Sequence, residues 1–265
     1  MMGAKISAIV IFDIDGVIRD VSGSYRRAIA DTVEAFTEGA YRPSQDDIDR
    51  LKSEGCWNND WHASQELVYR YFEQCGQARG DRPLDYDALV AFFQSRYRGT
   101  DPNTMNGYIC QEPLLVSNGY FDRLTDAGMS WGFFSGAMRA EAAYILEGAL
   151  KLKQPVVVAM EDAPSKPDPT GLFDAIARIE ERHNCHNNAP VIYVGDTVAD
   201  LYTVGKAQQE RPQRTWVGVG VLPPHVHHNL ERQAAYSENL KNAGAAIVLD
   251  NVEQLTPEVI GEIVD

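Results

Sequence analysis

Residues Ile6 to Phe12 form a near-continuous apolar run, rich in β-branched side chains, that stops at Asp13-Ile14-Asp15-Gly16. That pattern predicts a strand buried on both faces and running into a tight turn. From Ser24 to about Gly99 the period becomes helical, over Tyr25 to Phe36, Ser44 to Glu54, Asp60 to Gln74 and Tyr86 to Tyr97. Breaks fall at Arg42-Pro43, Gly55, Gly80 to Pro83 and Gly99 to Pro102, and no strand-like alternation appears between them.

After Pro113 helix and strand alternate. A helix near 114–127 precedes strand Ser130 to Phe134, a helix near 139–150 precedes strand Val156 to Met160, and a helix near 169–183 precedes strand Val191 to Val194. A helix near 198–209 then leads to strand Thr215 to Val221, and one near 230–242 to strand Ala246 to Leu249 and a terminal helix. Such alternation specifies an α/β fold, a doubly wound, mostly parallel sheet covered on both faces with right-handed crossovers. The expected organisation is one α/β core from residues 1–20 and 100–265, interrupted by an all-helical insertion over 21–99. Ligands of doubly wound sheets sit at the carboxyl ends of the strands, so a module inserted after the first strand is expected to act as a lid over the site.

Composition narrows the function. The chain has 265 residues and a net charge of −14, which argues against non-specific nucleic-acid binding and adhesion to anionic membranes, both of which need Lys and Arg to neutralise phosphates. At 44% hydrophobic residues it can bury a core, yet its apolar runs fall far short of the roughly 20 residues a membrane-spanning helix needs. Asp13 and Asp15 interrupt what would otherwise be the apolar stretch of a signal peptide, so a cytoplasmic location is expected. The cysteines Cys56, Cys75, Cys110 and Cys185 are scattered with no C-x-x-C pair, and reduced thiols are expected.

The candidate chemistry gathers at strand ends. Asp13 and Asp15 follow the first strand, Ser135-Gly136 the second, and Asp196 and Asp200 the fourth; Lys166 lies in the loop after the third. Four carboxylates brought together repel one another and retain protons unless a cation is bound, and Mg²⁺, a hard ion with oxygen ligands, keeps positions open for a phosphate. Ser135 with the backbone amides beyond it, Gly136 included, offers donors to phosphate oxygens, and Lys166 supplies a compact positive charge. Asp13 is placed to attack phosphorus, and Asp15 to protonate the leaving oxygen and then activate water.

In this arrangement the chain resembles the haloacid dehalogenase superfamily, whose four motifs occur in order as Asp13-x-Asp15-Gly-Val, Ser135, Lys166 and Gly195-Asp196-x-x-x-Asp200. The resemblance implies Asp13 as nucleophile, Asp15 as general acid/base with its backbone carbonyl on Mg²⁺, Asp196 as a metal ligand, and Asp200 as a residue orienting the metal's water or Lys166. Asp13 and Ser135 are 122 residues apart, against 31 from Ser135 to Lys166 and 30 from Lys166 to Asp196, so only the first interval can house an extra domain. That resembles the subfamily with a helical cap between the first two motifs, phosphoglycolate phosphatase-like and β-phosphoglucomutase-like. The true dehalogenases lack the second Asp of the first motif, so Asp15 disfavours dehalogenation.

The implied activity is a Mg²⁺-dependent phosphatase acting on a small phosphorylated metabolite through an aspartyl-phosphate. A sugar-phosphate mutase would share every core residue, and a catalytically silent binding protein is the remaining alternative. The organic part of the substrate and the oligomeric state are not encoded in these motifs. Within the insertion, Trp57, Asn58, Asn59, Asp60 and Trp61 combine aromatic walls with short polar groups and form the candidate substrate-selecting segment; a helix cap is the plainer account of the same residues. Arg26, Arg27 and Arg70 are further candidates for a substrate carboxylate. Asp168-Pro169 reads as a helix start. Glu161 and Asp162 fit a loop pair or outer support for a metal, and His225, His227 and His228 fit a solvated loop, with no accompanying ligand to make a metal site.

Overall fold

The computed structural model describes residues 6–57, 59–101, 104–117, 119–184 and 188–264. Asn58 and Cys185 lie outside them. The chain divides into two compact units, Met1–Asp20 with Leu114–Asp265, and Val21–Pro113.

The first unit holds a six-stranded sheet: β1 (Ile9–Phe12), β2 (Ser130–Phe134), β3 (Val157–Val158), β4 (Val191–Gly195), β5 (Trp216–Val221) and β6 (Ala245–Leu249), in the order β3-β2-β1-β4-β5-β6. Every pairing is parallel. The strand order reverses beside β1, so the crevice between the carboxyl ends of β1 and β4 is the switch point at which such sheets bind ligands.

Strand alternation explains why both faces are apolar. Val10, Phe12, Phe133, Ile192 and Val194 point to one face and pack with Tyr120 and Phe121 of α5 (Tyr120–Asp126), while Ile9, Ile11, Val191 and Tyr193 point to the other and pack on Leu172, Ile176 and Ile179 of α7 (Thr170–His183). Phe12 is wholly buried, with edge-on rings from Tyr120 at 5.9 Å and Phe121 at 5.6 Å. Truncating it to Ala should cost about 3–5 kcal/mol. The remaining helices of the unit are α6 (Arg139–Ala143), continued by a π-helical turn over Tyr144–Ala149, α8 (Val198–Glu210), α9 (Leu230–Asn242) and α10 (Pro257–Val264).

The second unit is helical: α1 (Tyr25–Phe36), α2 (Gln45–Lys52), α3 (Asp60–Gln74) and α4 (Tyr86–Tyr97). Tyr25 seats against Phe93 and Tyr97, with ring centroids 5.6 and 4.7 Å away. This unit runs on to Pro113, so the stretch after Gly99 packs with the helices rather than with the sheet. No helix among the described residues is long and apolar enough to cross a membrane. The described cysteines, Cys56, Cys75 and Cys110, are exposed free thiols.

Candidate active site

Asp13 is the first residue beyond β1, and its backbone N–H still donates to the Val194 carbonyl of β4 at 2.8 Å, which holds the side chain at the switch point. Its Oδ1 accepts from the Ile14 N–H at 2.7 Å and its Oδ2 faces Lys166 Nζ at 2.9 Å. Lys166 donates to Asp200 Oδ1 at 2.6 Å, so one ammonium bridges two carboxylates. Its Nζ also lies 5.4 Å from the ring centres of both Phe134 and Tyr193, which close the site from below.

Asp200 serves two structures at once. Its Oδ2 accepts from the Thr197 N–H at 3.0 Å and the Thr197 hydroxyl at 2.7 Å, starting α8, while Oδ1 takes Lys166 and, at 3.1 Å, the Tyr193 hydroxyl. That hydroxyl is 3.0 Å from the Phe134 carbonyl as well and shares its one proton between the two acceptors. Tyr193 and Thr197 are the parts of the site that motif reading misses. A Thr-x-x-Asp capping box can be read in Thr197-Val198-Ala199-Asp200. An inward Tyr in an otherwise aliphatic strand is a weaker sign, since apolar packing accounts for it equally well.

Asp13, Asp196 and Asp200 are all buried, and one carboxylate oxygen from each lies within 4.8 Å of the others; they are the one such group among the described residues. Burial raises the Asp13 carboxyl from its ordinary 3.8 to about 6; the Lys166 charge pulls it down, and the Asp200 and Asp15 charges push it further up. Burial also works against the Lys166 ammonium, but Asp13 and Asp200 outweigh it and hold the group above the ordinary lysine range. Tyr193 is pushed well above the usual phenol value by burial, then by Asp200 and Asp13. The carboxylates therefore outnumber the single lysine in a dry place, and an oxygen-liganded cation fits the donor set. The packing also leaves no room beside Asp196: a Cβ on Gly16, which has φ +76°, would stand 2.1 Å from Asp196 Oδ2.

Ser135 is buried just beyond β2; its N–H donates to the Val158 carbonyl and its hydroxyl accepts from the Ala137 N–H at 3.2 Å. Gly136 is half-buried beside it. Asp15 is tied to Arg19. Asp168 accepts from the Thr170 N–H at 2.9 Å and sets the start of α7, while Glu161 accepts from the Arg139 N–H and Asp162 from Ala159 and Arg139, all of which brace the loop ahead of α6.

In the helical unit, Asn59 accepts from the N–H groups of Trp61 and His62 as the cap of α3, buried Asp60 pairs with Lys52 at 2.6 Å, and Trp57 Nε1 donates to Glu54. Trp61 is half-buried. Arg26 is engaged by Gln45 and Asp49, and Arg70 by Glu54 and Glu66, so both spend their charge within that unit; Arg27 lies over the Tyr108 ring. His225 packs edge-on to Tyr236, and His227 and His228 are exposed.

A parallel sheet with a carboxylate cluster and one bridging lysine at its switch point defines an α/β enzyme with an acidic, cation-suited centre. The chain belongs to the haloacid dehalogenase-like hydrolase family, whose model matches residues 8–207. It is 31% identical over 272 residues to an imidazoleglycerol-phosphate dehydratase of Phytophthora nicotianae, an alignment that takes in the whole chain and 53% of the relative, so the chain spans about half the length of that protein. Among solved structures it is similar to a phosphonoacetaldehyde hydrolase-like protein from Oleispira antarctica (18% identity, 99% and 94% of the two chains, TM-score 0.67). It is also similar to phosphatase Tt82 from Thermococcus thioreducens (21%, 86% and 98%, 0.57) and to a β-phosphoglucomutase-like protein from Thermotoga maritima (17%, 96% and 99%, 0.55). At these identities the structural likeness establishes the shared fold.

Proposed function

We propose that the protein is a Mg²⁺-dependent phosphomonoesterase that hydrolyses a small phosphorylated metabolite through a phosphoaspartate on Asp13. The observation that carries this reading is the buried bridge Asp13–Lys166–Asp200 beside Asp196, with the Ser135 hydroxyl on the neighbouring strand end. Asp13 and Asp196, with the Asp15 carbonyl and support from Asp200, would hold the cation, which supplies charge neutralisation and polarises a phosphate oxygen. Asp13, ionised, forms the bond to phosphorus; Lys166 and the Ser135 proton hold the non-bridging oxygens; Asp15 protonates the departing alkoxide and then takes a proton from the water that cleaves the acyl phosphate.

Two comparisons shape the substrate panel. The Phytophthora relative bears the name of an enzyme of imidazoleglycerol phosphate, itself an alkyl phosphate, so imidazole-bearing phosphomonoesters belong in the panel beside phosphoglycolate and the sugar phosphates. The mutase-like neighbour favours testing sugar phosphates with a bisphosphate activator, where isomer interconversion in place of phosphate release would assign a mutase. Phosphate release over this panel, with Mg²⁺ and with chelator, tests the proposal directly. Rapid quench with labelled substrate should place phosphate on Asp13, and label on any other residue would sink the nucleophile assignment.

Asp15→Asn should slow an alkyl phosphate about 10²-fold or more, within the range a general acid contributes, and p-nitrophenyl phosphate far less, because its leaving group needs little protonation. Equal losses on the two esters would leave Asp15 without an acid role.

A further inference from the structure

Arg19 has the largest wholly buried side chain among the described residues, and Ile14, Val17 and Ile18 around it in sequence are buried and apolar. A guanidinium in such a place costs several kcal/mol of desolvation unless well paired, and an apolar residue of similar volume would pack there without that cost. Stability alone therefore does not account for the charge.

Its geometry points to Asp15. Arg19 Nε and Nη2 each lie 2.6 Å from a single atom, Asp15 Oδ1. The backbone fixes both ends of this contact: the Gly16 N–H donates to the Arg19 carbonyl at 2.9 Å, the Arg19 N–H donates to the Ile14 carbonyl at 3.2 Å, and Arg19 bridges to Leu114 on its other side. The Nε–H donates to Oδ1 and the Nη2 end of the guanidinium stands beside the same oxygen as an ion pair, which disfavours a proton there and leaves Oδ2 to carry it. The Asp15 side chain is 20% exposed, so the carboxyl is held by the core yet open on one side.

We propose that Arg19 is a positioning residue for proton transfer, pinning Oδ1 of Asp15 so that Oδ2 is the oxygen that exchanges protons with leaving group and water. The inference rests on the phosphomonoesterase reading. In the first step the Asp13 oxygen–phosphorus bond forms, the phosphorus–alkoxide bond breaks, and the proton on Asp15 Oδ2 goes to the alkoxide oxygen. In the second, a water oxygen bonds phosphorus, the acyl-phosphate bond breaks, and a water proton returns to Oδ2. An unpinned carboxyl turns about its terminal torsion, which has a broad, shallow profile, and loses the alignment that makes transfer efficient.

The test compares kcat/KM for an alkyl phosphate from the panel and for p-nitrophenyl phosphate in wild type, Arg19→Met, Arg19→Lys, Asp15→Asn and the Arg19→Met/Asp15→Asn double variant. Arg19→Met should lose at least about tenfold more on the alkyl ester than on the aryl ester, a share of the 10²–10⁴ that general acid catalysis supplies. Arg19→Lys, which keeps the charge but not the planar fork, should fall between wild type and Arg19→Met. Because Arg19 acts through Asp15, adding Arg19→Met to Asp15→Asn should change neither rate by more than about twofold.

A purely structural role predicts equal losses on both esters and a further loss in the double variant, and either result overturns the proposal. Should Arg19→Met fail to fold, Arg19→Lys decides alone: preferential loss on the alkyl ester supports pinning, and equal losses or wild-type rates on both overturn it. A wild type that releases phosphate from neither ester, with or without Mg²⁺, overturns the phosphomonoesterase reading itself and the inference with it.

Discussion

In the mechanism we propose, Asp13 has to be ionised to attack phosphorus, and its surroundings resist ionisation: without a cation, burial holds its carboxyl near 6 against an ordinary 3.8. A group that binds its proton more tightly folded than unfolded contributes stability at low pH and loses it as pH rises through the window between those values, here about 4 to 6. At 1.36 kcal/mol per decade the loss is about 3 kcal/mol. In chelator, urea titrations of wild type and Asp13→Asn should therefore diverge in favour of the variant by that amount between pH 4 and pH 7; parallel curves would show that Asp13 ionises freely. Mg²⁺ should then raise the wild-type Tm more at pH 7 than at pH 4.5, since at the lower pH it must displace a proton. Gly16→Ala tests the same centre from the packing side. A methyl group 2.1 Å from Asp196 Oδ2, on a backbone at φ +76°, has to displace that carboxylate, so the Mg²⁺-induced Tm shift should largely disappear.

Elements with local end signals are the ones legible in the chain. α1, α3, α4 and α9 begin and end where the periodicity places them, and α3, α4 and α9 carry Asn59, Asp85 and Asn229 as side-chain caps. Where neighbours decide, the pattern misleads. The helix expected from 114 begins only at Tyr120, because Leu114 is drawn into a bridge with Arg19, and the helix over 139–150 turns π-helical after Ala143, with the Leu150 N–H donating to the Ile145 carbonyl. β3 keeps two residues of five, pairing with β2 only at Val157 and Val158. The motif carboxylates and Lys166 were readable because the chemistry dictates residue type at strand ends, whereas Tyr193 and Arg19 matter through their partners, which spacing does not reveal. Asn59 belongs to both accounts. Its loss as a cap should cost about 1 kcal/mol of stability. If the segment Trp57–Trp61 also selects substrate, Asn59→Ala and Asp60→Ala should lower kcat/KM for the panel's best metabolite more than for p-nitrophenyl phosphate. Falling stability acts alike on both esters, so the ratio isolates selection, and an unchanged ratio removes the segment from the site.

At the scale of the whole molecule, the −14 charge disfavours a polyanionic partner, because an acidic protein surface repels nucleic acid, and this agrees with the small phosphate ester we propose as substrate. Strand β1, which leads into Asp13, lies before the insertion, yet both of its sheet neighbours, β2 and β4, come from beyond it. Its pairing is entirely non-local, the kind of contact that slows folding. The two points where the chain leaves and re-enters the sheet unit, however, are already side by side: Arg19 bridges Leu114, and the Leu115 N–H donates to the Ile18 carbonyl at 2.8 Å. The ninety-odd residues between them thus hang from one stitched seam, and a short Gly-Ser link can replace Val21–Pro113 without stretching the sheet unit. Such a shortened chain should melt cooperatively, keep its Mg²⁺-dependent Tm shift and lose discrimination among esters. Were it to emerge unfolded, the seam would be closed by the helices rather than by the strands it joins.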